Sequence, residues 1–353
     1  MRESLVSIAG LGSVSPYGPI AGLIPQRAIS PVAITAWATE GLRRAFLVEP
    51  FQPAKIVPGV KTRRLDRLSA WALVASSLAI RDAGIDLSQV DRSRVAVFFS
   101  TGFGCVELTE SFFRSAAANG WGGTDPITFP ETLANSPASH VALFHGLRGP
   151  NITIGSKRFG GESALIQCAS LLRHGQADLA IVLSGDTITQ AVYEWYEASG
   201  LLSSACYNEE PWGDGCGFVP SEGVAAVVLE RADSRGARTY GHLREGRWTA
   251  GGHSLEVVHT MLNGAIPDLI LCAGNGGPCT PSPAAALARE VGGQDAVIIP
   301  PDAVAAGMTD TGALLHLIVG LSNGPKSGLA LLLGTSGGTS HDHGFAALLL
   351  ELP

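Results

Sequence analysis

The sequence predicts an α/β protein built from two duplicated halves. Three observations carry this. Short, wholly apolar runs recur at Val95–Phe99, Leu179–Leu183, Val224–Leu229, Leu269–Cys272, Leu329–Leu333 and Phe345–Leu350. Such runs mark strands buried on both faces, and such strands lie in sheets covered by helices. Between them, apolar residues recur at helical spacing. Several runs stop at glycine, as at Gly274-Asn275-Gly276-Gly277 and Gly334. The second half repeats the rhythm of the first with different loops, the signature of a duplicated unit.

Val6–Ala9 reads as a short strand ending in Gly10-Leu11-Gly12. This is no dinucleotide fingerprint, because neither a third glycine nor a following helix fits. Residues 19–60 are rich in Pro, Gly and Ala and read as loops with short helices. From Arg63 to Ala83, Leu65, Leu68, Trp71, Ala72, Ala75, Leu78 and Ala79 fall on one helical face, with Gly84 as C-cap. Arg63, Arg64 and Arg67 read as its solvated face. Gly149 to Ile154 forms a strand that runs into a glycine-lined turn, and a helix follows from Glu162 to His174. The boundary between halves falls in the charged stretch Ala232–Gly241, giving residues 1–235 and a shorter 236–353.

Composition narrows the function. The chain has 353 residues, 46% hydrophobic and 16% charged, with 44 glycines. That suffices for a large core in tightly turned α/β units. A net charge of −7 argues against nucleic acid as a partner. No apolar segment has the length of a membrane span. The N-terminus enters a strand directly, without a signal-peptide layout. Six scattered cysteines, without a CxxC pair, read as reduced thiols of a cytoplasmic protein. His341-Asp342-His343 lacks a third ligand and reads as a solvated loop, so no metal or other cofactor is expected.

The turn before residue 162 is the most informative stretch. A strand, a sharp turn and a helix N-terminus make a nucleophile elbow. The helix end carries unpaired N–H groups and partial positive charge, which favour a thiolate or an oxyanion. The chain places Lys157 and Arg158 there, followed by Phe159, Gly160, Gly161 and Glu162. Arg158 stays protonated and is neither nucleophile nor base. Glu162 is four residues on and within reach of it across one turn.

Several runs resemble the β-ketoacyl synthase family, of the thiolase fold. They are Arg64-Leu65-Asp66-Arg67 with its helix, Val95 to Gly104, Pro130 to Asn135, Gly146 to Asn151, His174 to Asp178, and Gly217 to Glu230. Their order and spacing carry the resemblance, which implies a layered αβαβα arrangement. The catalytic positions depart from the family. The acyl-accepting Cys maps onto Arg158, the first catalytic His onto Ala273 and the second onto Met308. The gating Phe maps onto Ser336. Condensation needs a thiolate and two imidazoles, so losing all three implies a subunit relieved of chemistry.

The pattern Arg158-Phe159-Gly160-Gly161 is similar to that of the chain length factor, the inactive partner of a type II polyketide ketosynthase. Arg in place of Gln, and Phe159, are departures. The resemblance implies pairing with an active ketosynthase through the strand Asn151, Ile152, Thr153, Ile154. It also implies an acyl carrier protein as partner and a pocket for the growing acyl chain, in polyketide, polyene or fatty-acid-type synthesis. Trp121, Phe129, Leu133, Phe159 and Ser336 are the candidates to line that pocket, against the alternative of ordinary core residues. Cys168 reads as core. Two other readings remain open at this point. One is a homodimeric acyltransferase with a relocated nucleophile, for which Cys279 is the best candidate. The other is a non-catalytic acyl-binding or scaffold module.

Overall fold

The computed structural model describes residues 5–24, 29–35, 37, 42–156, 159–203, 206, 217–231, 239–250, 254–273, 283–299, 312–335 and 344–353. The first half comprises β1 (Val6–Ser15), β2 (Gly18–Ala21), β3 (Val32–Ala33), β4 (Arg44–Ala45), α1 (Pro53–Ile56), α2 (Arg67–Asp82), β5 (Val95–Thr101), α3 (Val106–Asn119), α4 (Ser136–His145), β6 (Asn151–Gly155), α5 (Gly160–Arg173), β7 (Leu179–Asp186), α6 (Gln190–Ala198) and β8 (Gly223–Arg231). The second comprises β9 (His242–Ala250), α7 (Ser254–Leu262), β10 (Leu269–Ala273), α8 (Pro283–Val291), β11 (Val297–Ile299), α9 (Ala313–Asn323), β12 (Gly328–Thr335) and β13 (Gly344–Leu352).

The strand order shows the duplication directly. In the first half it is β1-β8-β7-β5-β6, and in the second β9-β13-β12-β10-β11. Each half therefore arranges its own five main strands in the same order. The first two neighbour pairs of each half are antiparallel and the next two parallel. The halves join where Val6 and Ser7 of β1 meet Leu243 and His242 of β9. The sequence boundary at 235/236 lies outside the described residues.

Three apolar clusters hold five structural layers together. Residues of α5 and α9, among them Leu165, Cys168, Leu314 and Ile318, pack between the two halves of the sheet. α2 and α4 cover the outer face of the first half through Leu68, Trp71, Ala75 and Val141. α7 and α8 cover the outer face of the second through Val258, Leu262 and Leu287. The layers thus run αβαβα, as the family resemblance implies. No helix among the described residues is long and apolar enough to cross a membrane.

Several sequence expectations change. β1 does not stop at Gly10-Leu11-Gly12 but continues to Ser15. Its glycines let the backbone of α2 approach: a methyl at Gly10 would meet Ala83 Cβ at 2.6 Å, and one at Gly12 Ala79 N at 2.5 Å. Stretch 19–60 holds β2, β3 and β4 besides the short α1. The helix expected from Arg63 starts at Arg67, because Asp66 caps it by accepting from Leu68 N at 2.9 Å. Asp66 also accepts from Leu108 N at 3.0 Å, tying α3 to α2. Arg63 and Arg64 are exposed, whereas Arg67 does not sit on a solvated face. Its guanidinium pairs with Glu107 and with the buried Glu222 at 2.9 Å, and lies 4.8 Å from the Trp71 ring centroid.

His145 closes α4 against α2. Its Nε2 lies 3.1 Å from Ser76 Oγ and 3.4 Å from Ser77 Oγ. Both hydroxyls donate to Leu73 O, so Nε2 carries the proton. Burial, with Arg92 adding repulsion, lowers the His145 pKa from 6.5 to about 4. The folded value lies below the unfolded one. The resulting stabilisation is complete above pH 6.5 and is lost as pH falls toward 4, an effect of about 3 kcal/mol. Urea titrations at pH 7 and pH 4.5 should therefore differ less for His145→Gln than for the wild type. Equal pH dependence in the two would contradict this burial.

Candidate functional site

The elbow is assembled by three elements. β6 lies beside β5, with Gly155 opposite Thr101, and Ser156 N donates to Thr101 O at 3.1 Å. The turn after Thr101 is fixed by the Asp186 carboxylate, which accepts from Thr101 Oγ1 at 2.6 Å and from Gly102 N and Phe103 N at 3.0 Å each. Helix α5 then opens at Gly160, two residues before the expected Glu162. Its N-cap is Phe159, held at φ 35° and ψ 42°. That left-handed backbone is costly for a bulky residue and marks a position fixed by its surroundings.

Close packing explains the glycines. A methyl at Gly160 would overlap Ser100 Oγ beneath the helix. One at Gly161 would sit 3.0 Å from Leu314 Cδ1 and 3.2 Å from Ala313 Cβ, at the N-terminus of α9. The N-termini of the two central helices therefore meet here. The Phe159 ring rests against Gly344 at the start of β13, and the Glu162 carboxylate lies against Gly334 of β12. Glu162 is buried, in the first turn of α5, where the helix dipole favours a carboxylate. Ala273 ends β10 directly opposite Gly334 and is buried in the central core. The structure thus brings Phe159, Gly160, Gly161, Glu162 and Ala273 together from both halves. Lys157, Arg158, Met308 and Ser336 lie outside the described residues.

Gly334→Ala tests this contact. The added methyl overlaps Glu162 Oε1, and overpacking of this kind costs about 1–3 kcal/mol. Urea denaturation should show that loss, and Glu162→Ala in the same chain should recover most of it. An unchanged midpoint for Gly334→Ala would contradict the packing.

The other expected pocket residues form a second group. Trp121, Phe129 and Leu133 are 68%, 52% and 43% exposed, so none is a core residue. The aromatic rings form a chain: Phe112 to Phe129 at 5.7 Å, Phe112 to Phe113 at 5.9 Å, and Phe113 to Trp121 at 6.3 Å. They cap α3, a helix with no buried residue. Glu131 beside them contacts His140 Nε2 at 2.7 Å, which fastens this cap to α4. The expected pairing strand β6 is the outermost strand of the first half, and Leu143 and Phe144 of α4 stand exposed. Thr153 Oγ1 is buried without a hydrogen-bond partner among the described residues.

Cys105, Cys168 and Cys206 do not offer a replacement nucleophile. Burial pushes the Cys105 thiol up to about 12, aided by Asp66, and the Cys206 thiol up to about 11. It raises Cys168 as well, which is core as expected. Cys279 and the stretch His341-Asp342-His343 lie outside the described residues. Sequence reasoning missed Ser100, Gly344 and Asp186, which position the elbow. The glycines at both strand ends, Gly334 and Gly344, were the available signal.

Comparison with known proteins places this geometry. Residues 29–235 match the family model for the beta-ketoacyl synthase N-terminal domain. The 3-oxoacyl-[acyl-carrier-protein] synthase 2 of Vibrio cholerae serotype O1 is 28% identical over 258 residues, 68% of this chain and 62% of the relative. That of Synechocystis sp. is 26% identical over 261 residues, 69% of this chain and 62% of the relative. The chain thus matches less than two thirds of the length of these relatives. In fold, it is similar to the ishigamide ketosynthase/chain length factor, with TM-score 0.73 and 21% identity over 99% of each chain. It is also similar to the AntDE:AntF assembly, a type II PKS acyl-carrier protein in complex with its ketosynthase bound to the hexaketide. There the TM-score is 0.77, with 16% identity over 100% of each chain. By its matched residues and its duplicated αβαβα layering, this chain belongs to the beta-ketoacyl synthase family.

Proposed function

We propose that the chain is a non-catalytic, chain-length-factor-like subunit. In this reading it pairs with a catalytically active ketosynthase and shapes the acyl-chain pocket of a polyketide, polyene or fatty-acid-type synthase. One observation supports it: Ala273, onto which the sequence maps the family's first imidazole, is a buried methyl group with no proton to give or take. Arg158 and Met308 at the Cys and second His positions agree with it in sequence. Without a thiolate the acyl chain has no covalent anchor, and without imidazoles the enolate formed on decarboxylation has no stabilising donor.

The remaining roles follow from that assignment. The active partner supplies Cys and both His, and the acyl carrier protein delivers the thioesters. Strand β6 pairs with the partner, which satisfies its open edge. The exposed cap of Trp121, Phe129 and Leu133 is covered by the same partner, since patches of this kind mark interaction surfaces. Phe159 and Ser336 are assigned to the lining of that pocket. The cytoplasm is the expected compartment, in keeping with the free cysteines at 105, 168, 206 and 272.

The test is turnover by the chain alone. Incubated with acyl- and malonyl-loaded carrier protein, it should show neither covalent acylation nor condensation. Arg158→Cys should still fail to condense, because Ala273 and Met308 remain. Condensation by that single variant would overturn the assignment.

A further inference from the structure

Strand β6 alone is a short contact. Five residues run about 17 Å, while a stable dimer buries about 800 Å² on each partner. The interface must therefore spread from β6 onto neighbouring surface. On one face of the sheet, β6 packs against α4 and leads to the aromatic cap. On the other face it packs against α5.

Helix α5 lies between the two halves of the sheet, yet one of its stripes stays open. Ser163, Ile166, Gln167 and Ser170 are not buried. α5 touches β6 in the first half and β9 in the second. β9 also has an open side. β1 pairs with it only at His242 and Leu243, and Arg173 of α5 caps Leu243 O and Arg244 O at 2.8 and 2.9 Å. Beyond that point no strand neighbours β9 on this side among the described residues. Gly246 of β9 faces α5, because a methyl there would meet the Ile166 side chain. Two residues on, Trp248 points to the same face and is 61% exposed. An exposed Trp on a strand, beside an open stripe of an otherwise buried helix, is a surface built to be covered.

We propose that the ketosynthase partner covers a continuous surface from the β6 edge, across the open stripe of α5, to Trp248 on β9. This proposal rests on the heterodimer reading above and adds to it that the partner bridges both halves of this chain. Ile166 and Trp248 supply the apolar centre, with Trp248 the anchor.

The experiment measures binding of the full chain to its purified ketosynthase partner by surface-immobilised titration, for wild type, Trp248→Ala, Trp248→Phe and Thr153→Pro. Thermal unfolding of each variant alone checks that it folds. Trp248→Ala is expected to weaken binding by at least about thirtyfold, the loss that defines an interface anchor. Trp248→Phe should recover most of it, with unfolding unchanged in both. Wild-type affinity in Trp248→Ala, alongside loss in Thr153→Pro, overturns the extension and leaves the β6 pairing standing. A wild-type chain that binds no ketosynthase removes the heterodimer reading and this proposal with it.

Discussion

Thr153→Pro is expected to release the chain from its partner while leaving its own fold intact. In a parallel pair, successive residues point their N–H and C=O alternately toward and away from the neighbouring strand. Pro150 O accepts from Val97 N at 2.8 Å, so even-numbered residues of β6 face β5. Asn151, Thr153 and Gly155 therefore aim their backbone groups at the open edge. Proline at 153 removes one outward donor and breaks no bond to β5, the situation in which edge strands tolerate proline. The substitution also removes a buried hydroxyl with no hydrogen-bond partner among the described residues. Native mass measurement of the complex should show dissociation, with the melting temperature of the isolated chain essentially unchanged. A complex that survives would place the interface elsewhere.

Arg67→Met is the largest stability effect expected inside the chain. Glu222 is 1% exposed in its side chain and accepts from Val48 N and Ile188 N at 3.2 Å each, besides Arg67. Burial raises its pKa, and Arg67 is the largest opposing influence. Removing the guanidinium leaves a buried carboxylate with two neutral donors. Breaking a buried pair costs about 3–5 kcal/mol, and the lower end applies because Arg67 itself is a third exposed. A pH signature should accompany the loss. With Arg67 gone, the folded pKa of Glu222 rises further above its unfolded value. The variant should then regain stability, relative to wild type, as pH falls through the raised pKa. Urea denaturation against pH, with Arg67→Met/Glu222→Gln as the neutral reference, reads both. A loss independent of pH would assign the effect to packing on Trp71 instead.

Most of the sheet was legible because its strands are buried on both faces, which leaves runs such as Leu179–Leu183 and Leu329–Leu333 without polar interruption. β9 was not legible for the opposite reason. It carries His242, Arg244, Glu245 and Arg247 on a partly open edge, so neither an apolar run nor clean alternation marks it. α3 was missed because nothing in it is buried, which removes the apolar stripe that signals a helix. Gly10 and Gly12 read as a turn although they serve close helix–strand packing, a distinction that depends on where α2 lies. At the site, the glycines were plain in sequence, as was the Lys157-Arg158 pair at the expected nucleophile position. The seating of Phe159 on Gly344 was not, because it joins residues from opposite halves of the chain.

The central claim is that this chain works as the silent half of a pair. The direct measurement is its affinity purification from the native host, with mass spectrometry of the captured proteins and the native mass of the complex. The account predicts one ketosynthase per chain, carrying an intact Cys-His-His set. A homodimer without such a partner would contradict it.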